Sequence, residues 1–219
     1  MSEESKVKSI ELRIKSMTCG PVGTNCYFVI APESREAILI DCEGEAERFR
    51  SFLTEEGLTL RAILLTHGHF DHIGAVTEMK KLYPDVPVYI SAIDQPMLGN
   101  PLLNGARLFG LGEITASADH TVTDGDKLSF LGAEITCIFT PGHTAGGMCF
   151  YFENEGICFV GDTLFYFGIG RADLPTGDEG TLLSSIRERL FTLPADTKVF
   201  PGHGPVTSIG KEKSGNPYF

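Results

Sequence analysis

Short apolar runs alternate with stretches of helical periodicity in the first half of the chain. The apolar runs have the length and the β-branched or aromatic content of buried strands, and they cover residues 26–30, 37–41, 61–65 and 88–90. Two helices are predicted between them. One covers residues 43–56 and stops at Gly57, and the other carries an apolar residue at every third position from Ile73 to Leu82 and ends before Pro84.

The second half of the chain is denser in strands. Further strand-like runs cover residues 127–130, 134–139, 148–152, 156–160 and 198–200. A helix is predicted over residues 182–190. Because strands dominate and helices occur in both halves, we predict an α+β protein in which two sheets pack together with helices outside, as a single domain over residues 1–219.

Residues 95–120 fit neither pattern, because Pro, Gly, Asn and Leu occur there without a clean period. We predict an irregular excursion or a short helix. Irregular segments of this length often border a substrate pocket. We expect this one to do so together with Tyr166, Phe167 and Arg171.

The composition limits the classes of partner. The 18 Lys and Arg residues against 29 Asp and Glu give the 219-residue chain a net charge of −11, which opposes binding to nucleic-acid phosphates. No stretch reaches about 18 apolar residues and the first residues are polar, so we expect neither a membrane partner nor a signal peptide. The six cysteines form no CxxC pair, which predicts small buried thiols in a reduced, cytoplasmic protein.

Candidate metal ligands are concentrated where apolar runs end. They comprise five of the six histidines and two aspartates: His67, His69, Asp71, His72, His143, Asp162 and His203. Core packing does not explain this clustering, because buried imidazoles need polar partners. Imidazole and carboxylate are common ligands of zinc, iron and similar ions. The sequence therefore predicts a metal site.

Strand geometry predicts which ligands act together. Residues two apart in an extended segment point the same way, so His67 and His69 can bind one ion. Asp71 and His72 follow where the chain turns into a helix, and they can face a second ion. We expect Gly68 to keep a side chain from crowding the ions.

These residues resemble the motifs of the metallo-β-lactamase superfamily. Its HxHxDH signature matches residues 67–72, and its other motifs match Asp41, His143, Asp162 and His203 in the expected order. The resemblance covers roughly residues 10–217. It implies an αββα sandwich of two mixed sheets with helices on the outer faces. It also implies two divalent metal ions at the rim between the sheets, with zinc expected and iron or manganese compatible.

The resemblance also implies roles for individual residues. One ion would be held by His67, His69 and His143, and the other by Asp71, His72 and His203. Asp162 and a hydroxide would bridge the two ions, Asp71 and Asp162 would be catalytic, and Asp41 would orient the HxHxDH segment. Water held between two cations loses a proton near neutral pH and would attack a thioester or ester carbonyl.

Within the superfamily, the chain is most similar to short glyoxalase II-like (hydroxyacylglutathione hydrolase-like) proteins. The similar segments are residues 161–165, 168–174, 201–205 and 216–219. The chain ends 16 residues after His203, so we do not expect the C-terminal helical domain of full glyoxalase II enzymes. Arg171 and Asp173 stand where the family has a Lys and a Tyr that hold glutathione. Arg171 could bind a substrate carboxylate, or it could pair with Asp173.

The favoured function is thus hydrolysis of a small thioester or ester by a dinuclear metal enzyme. The alternative is an iron persulfide dioxygenase, which shares the Gly-Arg-x-Asp motif but uses one iron, whereas Pro-Gly-His-Gly at residues 201–204 favours two ions. β-Lactamases of the commonest zinc class have a cysteine at the position of Asp162, which disfavours that activity. A non-catalytic metal-binding module is disfavoured because all seven ligands are present.

Overall fold

The N-terminal half forms one mixed sheet. The computed structural model describes residues 11–219. The strands are β1 (Arg13–Cys19), β2 (Thr24–Ala31), β3 (Glu36–Ile40), β4 (Thr59–Leu64), β5 (Val88–Ser91) and β6 (His120–Val122). They pair in sequence order; β1, β2 and β3 are antiparallel neighbours, and β3 to β6 are parallel. The predicted strands of this half are confirmed.

The C-terminal half forms a second mixed sheet. Its strands are β7 (Lys127–Phe130), β8 (Ala133–Phe139), β9 (Met148–Phe152), β10 (Ile157–Gly161), β11 (Leu164–Phe165), β12 (Gly168–Ile169), β13 (Lys198–Pro201) and β14 (Thr207–Ser208). The sheet has the order β14-β13-β10-β9-β8-β7, while β11 and β12 form a separate hairpin. Only the β10–β13 pair is parallel among the described strands of this sheet.

Helices cover the outer faces of both sheets. They are α1 (Ala46–Glu55), α2 (Phe70–Ile73), α3 (Val76–Leu82), α4 (Gln95–Leu98), α5 (Glu179–Ser185), which continues as a π-helical turn over Ile186–Leu190, and α6 (Ile209–Gly215). Phe49 of α1 and Met79 of α3 pack against the first sheet. Leu182 of α5 and Ile209 of α6 pack against the second sheet.

The two faces of strand β2 pack against different layers. Successive side chains of a strand point to opposite faces. Phe28 and Ile30 therefore face the helices of the first sheet, whereas Tyr27 and Val29 face the second sheet and share a core with Phe150. Because both faces are covered, every residue of β2 is buried, and residues 26–31 form a continuous apolar run rather than an alternation. The predicted αββα sandwich is confirmed.

The sequence pattern missed several elements and misjudged one. The helix predicted from Ile73 to Leu82 is two short helices that are separated at residues 74–75. The edge strand β1 was not predicted because most of its residues are exposed and it has no apolar run. The short strands β11, β12 and β14 contain two residues each, too few to show a period. Residues 95–120 contain α4 followed by irregular turns.

Two further expectations concern the whole of the described chain. All six cysteines are buried and free, as predicted. Across residues 11–219, no helix has both the length and the apolar character that crossing a membrane requires.

Candidate metal centre

The loop between β4 and α2 presents the HxHxDH segment at the rim where the two sheets meet. β4 ends at Leu64 and α2 begins at Phe70, with His69 still extended at φ −71° and ψ 152°. The backbone N–H of Met148, in β9 of the second sheet, donates to the carbonyl of Thr66 at 2.9 Å. The loop is therefore fixed to both sheets.

Three histidines converge at this rim. His143 Nε2 lies 2.9 Å from His69 Nδ1 and 3.2 Å from His67 Nε2. The three residues are only 2–4% exposed. Their rings are nearly perpendicular to one another, so ring nitrogens rather than ring faces meet.

Asp162 stands between these histidines and a second group formed by Asp71, His72 and His203. Its Oδ2 lies 3.5 Å from His143 Nε2 and 3.3 Å from His203 Nε2, and its Oδ1 lies 3.4 Å from His72 Nε2. His203 Nε2 is also 3.3 Å from Asp71 Oδ2. One carboxylate therefore contacts both groups, and the structure brings all seven predicted ligands together.

The site fits a pair of divalent cations. His72 Nε2 and Asp162 Oδ1 are buried and make no hydrogen bond within residues 11–219, although buried polar atoms normally have a partner. Ligand atoms at about 2.0–2.1 Å from a tetrahedral ion lie roughly 3.3 Å apart. The separations of 2.9–3.5 Å between the facing nitrogens and oxygens are of this size. Imidazole and carboxylate donors suit zinc, iron and manganese.

Asp41 holds the histidine loop from behind. Its Oδ1 accepts a hydrogen bond from the Thr66 backbone N–H at 2.8 Å, and its Oδ2 accepts from the Thr66 hydroxyl and from His72 Nδ1, each at 2.9 Å. Its φ of 56° is unusual for a residue other than glycine. A carboxylate on Nδ1 leaves Nε2 free to bind a metal, so Asp41 is placed to orient His72.

Two contacts that the sequence did not predict fix the remaining histidines. His143 Nδ1 donates to the carbonyl of Arg171 at 2.6 Å. Asp94, 1% exposed, accepts from the Gly68 N–H at 3.1 Å and from the Thr144 hydroxyl at 2.7 Å, so it joins the His67–His69 loop to the His143 loop. No local pattern could have indicated these contacts, because the partners are 26 to 50 residues apart.

Close packing requires glycine at two positions beside the ligands. A Cβ on Gly202 would lie 2.2 Å from Asp162 Oδ1 and 2.7 Å from His72 Cε1, so glycine lets the last histidine loop approach the site. The interpretation that Gly68 leaves room for the ions is wrong. A Cβ there would lie 2.7 Å from Met97 Cβ, so Gly68 makes room for α4.

The two ligand groups differ in charge in the metal-free protein. Burial lowers the pKa of His69 to about 3, which keeps it neutral. Burial alone would also lower the pKa of His203, but hydrogen bonds with Asp162 and Asp71 outweigh it and raise the pKa to about 9. Neighbouring carboxylates likewise overcome burial and raise the pKa of His72 well above its ordinary value. Protons on His72 and His203 thus supply the positive charge that the carboxylates require.

Comparison with known proteins identifies the family. Residues 19–203 match the family model described as the metallo-beta-lactamase superfamily. The chain belongs to the metallo-beta-lactamase superfamily. It is 39% identical over 208 residues to a probable metallo-hydrolase, YqgX of Bacillus subtilis, covering 94% of this chain and 97% of the relative. It is also 39% identical over 196 residues to hydroxyacylglutathione hydrolase GloC of Haemophilus influenzae, covering 89% and 92% respectively.

Two solved structures are similar to this fold. BLEG-1, a B3 metallo-beta-lactamase, superimposes with a TM-score of 0.90 at 39% identity, covering 94% of this chain and 99% of BLEG-1. TTHA1623, solved in a di-iron-bound form, superimposes with a TM-score of 0.83 at 36% identity, covering 94% of this chain and all of TTHA1623. The family match and the ligand set make this chain a metal-binding hydrolase of the superfamily.

An open cavity of about 360 Å³ leads to the ligands. Apart from Arg171, the residues that form its walls are apolar: Val22, Phe70, Phe109, Phe165, Ile169 and Leu174. Phe109 confirms that the irregular segment 95–120 borders the pocket. The expectation for Tyr166 and Phe167 is wrong, because Phe165 lines the cavity while these two side chains pack around Lys211, whose Nζ lies 4.3 Å from the Tyr166 ring centre.

Arg171 lies at the cavity wall and is paired. Its Nε and Nη2 donate to the two carboxylate oxygens of Asp173, each at 2.7 Å. Its guanidinium carbon is 6.0 Å from the Phe109 ring centre. Of the two alternatives that the sequence left open for Arg171, the structure contains the pairing with Asp173.

Replacing Asp41 tests its orienting role. In the wild type, the two carboxylate oxygens of Asp41 accept hydrogen bonds from Thr66 and His72. The amide of Asp41→Asn has only one accepting oxygen, so the His72 ring loses its fixed position. We expect zinc affinity to fall about 10- to 100-fold, as measured by competition with a chelator. Asp85→Asn, at an exposed aspartate, is the control and should bind zinc as the wild type does. Unchanged affinity in Asp41→Asn would contradict the role.

The raised pKa of His203 predicts that zinc binding releases protons. Only a neutral imidazole binds metal, and below pH 9 the metal-free protein holds a proton on His203. The His203 proton should therefore make the apparent zinc affinity rise by about tenfold per pH unit, and this contribution should level off above about pH 9. Calorimetry in buffers of different ionisation enthalpy counts the protons. His203→Ala should release one proton fewer; equal release would refute the assignment.

Proposed function

We propose that this superfamily member is a dinuclear metal-dependent thioester hydrolase of the glyoxalase II-like kind, acting on a small thioester or ester. The observation that carries the proposal is the single carboxylate of Asp162 between two complete ligand groups. The 39% identity to hydroxyacylglutathione hydrolase GloC supports the substrate class. We further propose zinc as the native metal, with iron or manganese compatible. Six buried free thiols favour the cytoplasm as its location, and we propose no nucleic-acid or membrane partner.

Two divalent ions bound here would supply a deprotonated water near neutral pH and a Lewis acid for the substrate carbonyl. The chain's own residues position the reaction. Asp71 and Asp162 both line the cavity, so either carboxylate can accept a hydrogen bond from the attacking water. The Thr24 hydroxyl donates to Asp71 Oδ2 at 3.1 Å and limits the rotation of that carboxylate. The Asp41 contacts keep His72 Nε2 directed at the site.

The cavity lining favours direct attack by water. Among the residues that line the cavity there is no Ser, Thr, Cys or Lys that could form a covalent acyl intermediate. A substrate bound between the apolar walls would displace water from the ligands, which would strengthen electrostatic interactions there. The walls also suit the apolar part of an acyl or thiol group.

Two other reactions have specific support and belong in the same test. Likeness to BLEG-1 at a TM-score of 0.90 and 39% identity raises β-lactam hydrolysis as a second candidate. The Gly-Arg-x-Asp segment at residues 170–173 raises one-iron persulfide oxidation.

Metal content and turnover of a substrate panel test the proposal. We expect two ions per chain and hydrolysis of acyl thioesters in preference to β-lactams and phosphoesters. His67→Ala and Asp162→Ala should each lower kcat/KM by more than about 100-fold, since loss of a ligand's outer partner alone costs 10- to 100-fold. Asp85→Asn should keep wild-type turnover.

Other outcomes would exclude the proposal and identify the rival. One iron per chain with oxygen uptake on a persulfide would establish the dioxygenase. Faster turnover of a β-lactam than of any thioester would establish the lactamase. Thioester turnover that survives both substitutions would remove the metal site from the reaction.

The Arg171–Asp173 pair provides a test of substrate binding. Both side chains are exposed, and pairs of this kind contribute only about 0.2–1 kcal/mol. A substrate carboxylate could therefore displace Asp173. Asp173→Asn should lower KM for an anionic thioester about 2- to 5-fold, and Arg171→Ala should raise it similarly. KM for a neutral thioester should stay the same in both variants; equal changes for both substrates would rule out recognition of the carboxylate.

A further inference from the structure

The loop that carries His203 is held by a side chain from the opposite sheet. Asn25, in β2 of the first sheet, donates from Nδ2 to the carbonyl of Pro201 at 3.2 Å and to the carbonyl of Gly204 at 2.9 Å. Its backbone N–H donates to the carbonyl of Gly202 at 2.7 Å. One residue therefore anchors the backbone on both sides of His203.

The chemistry of these contacts requires an amide at position 25. Carbonyl oxygens only accept hydrogen bonds, so the two acceptors from Pro201 and Gly204 fix the NH₂ group toward the loop. The Oδ1 atom then faces Thr18, whose hydroxyl donates to it at 3.2 Å. Asn25 is 7% exposed. A carboxylate in the same place would set a negative charge against two carbonyl oxygens, with little water to separate them.

The position of the His203 ring depends on the backbone of its loop. Ring contacts outside the ligand cluster hold His67 through the Thr66 hydroxyl, His72 through Asp41 and His143 through the Arg171 carbonyl. Within the described part of the chain, no hydrogen bond from outside the cluster holds the His203 ring, which lies edge-on to Phe165 with 6.0 Å between the ring centres. The His203 side chain is also 26% exposed, against 5% or less for His72 and His143. The position of the ring therefore follows the position of residues 201–204.

We infer that Asn25 is a positioning residue for the second metal site, formed by Asp71, His72 and His203. The inference rests on the proposed function, which requires two ions. The histidine group of His67, His69 and His143 is fixed by other residues, so loss of the two Asn25 side-chain hydrogen bonds should weaken binding of one ion and leave the other. A residue that only stabilised the fold would affect both.

Zinc binding by equilibrium dialysis tests the inference on the full chain, with zinc alone as the probe. The wild type should bind two ions. Asn25→Asp and Asn25→Ala should keep one ion and bind the second about 10- to 100-fold more weakly. His203→Ala shows how loss of the second site appears in the measurement. Thr18 is exposed, and Thr18→Val removes only the hydrogen bond that orients the Asn25 amide. This variant should bind the second ion about 2- to 5-fold more weakly.

Asn216→Ala is the matched control. Asn216 is 3% exposed and also donates two hydrogen bonds, to the Gly168 carbonyl and to Glu212 Oε2, each at 3.0 Å. It contacts no metal ligand, so this variant should bind two ions with wild-type affinities. Circular dichroism and thermal unfolding of every variant establish that the protein is folded.

The outcomes separate the inference from the proposed function. Fewer than two zinc ions on the wild type would overturn the proposed function and the inference with it. Two ions on the wild type and unchanged affinities in folded Asn25 variants would overturn the inference alone. Equal weakening of both ions would overturn it as well. If the Asn25 variants do not fold, wild-type affinities in Thr18→Val would overturn it.

Discussion

The structure depends on positive charge that balances the buried cluster of metal ligands. Five imidazoles and two carboxylates are packed with nitrogens and oxygens 2.9–3.5 Å apart, and nearly all are excluded from water. Lone pairs this close repel one another unless a proton or a metal ion lies between them. In the metal-free protein, protons on His72 and His203 supply part of that charge, as the raised pKa values of both residues show. Divalent ions supply this charge and in addition activate water.

The packing of the two sheets brings the metal ligands together at one rim. The HxHxDH loop follows β4 of the first sheet, whereas His143, Asp162 and His203 follow β8, β10 and β13 of the second. Neither sheet alone could complete the site. Hydrogen bonds that cross between the sheets set their relative position there, from Met148 to Thr66 and from Asn25 to residues 201–204. The layered core thus determines the distances between the ligands.

The sequence predicted what depends on local pattern. Apolar runs located most of the central strands, and the histidines and aspartates that follow those runs marked the predicted ligands that the structure brings together. The residues that hold the ligand loops in place could not be predicted from local pattern. Asp94 and Asn25 act on backbone atoms that are distant in the chain, so no spacing rule indicates them. The mistaken interpretation of Gly68 has the same cause, because its constraint comes from Met97 in α4 and not from the neighbouring histidines. Tyr166 and Phe167 were misplaced because the two-residue strands around them have no periodicity.

The existence of two ions bridged by Asp162 is the central claim, and anomalous diffraction from a zinc-loaded crystal tests it most directly. Two anomalous peaks are predicted, one within bonding distance of His67, His69 and His143 and the other within bonding distance of Asp71, His72 and His203, with one Asp162 oxygen bound to each ion or shared between them. A single peak at full zinc loading, or a second peak away from His203, would contradict the claim.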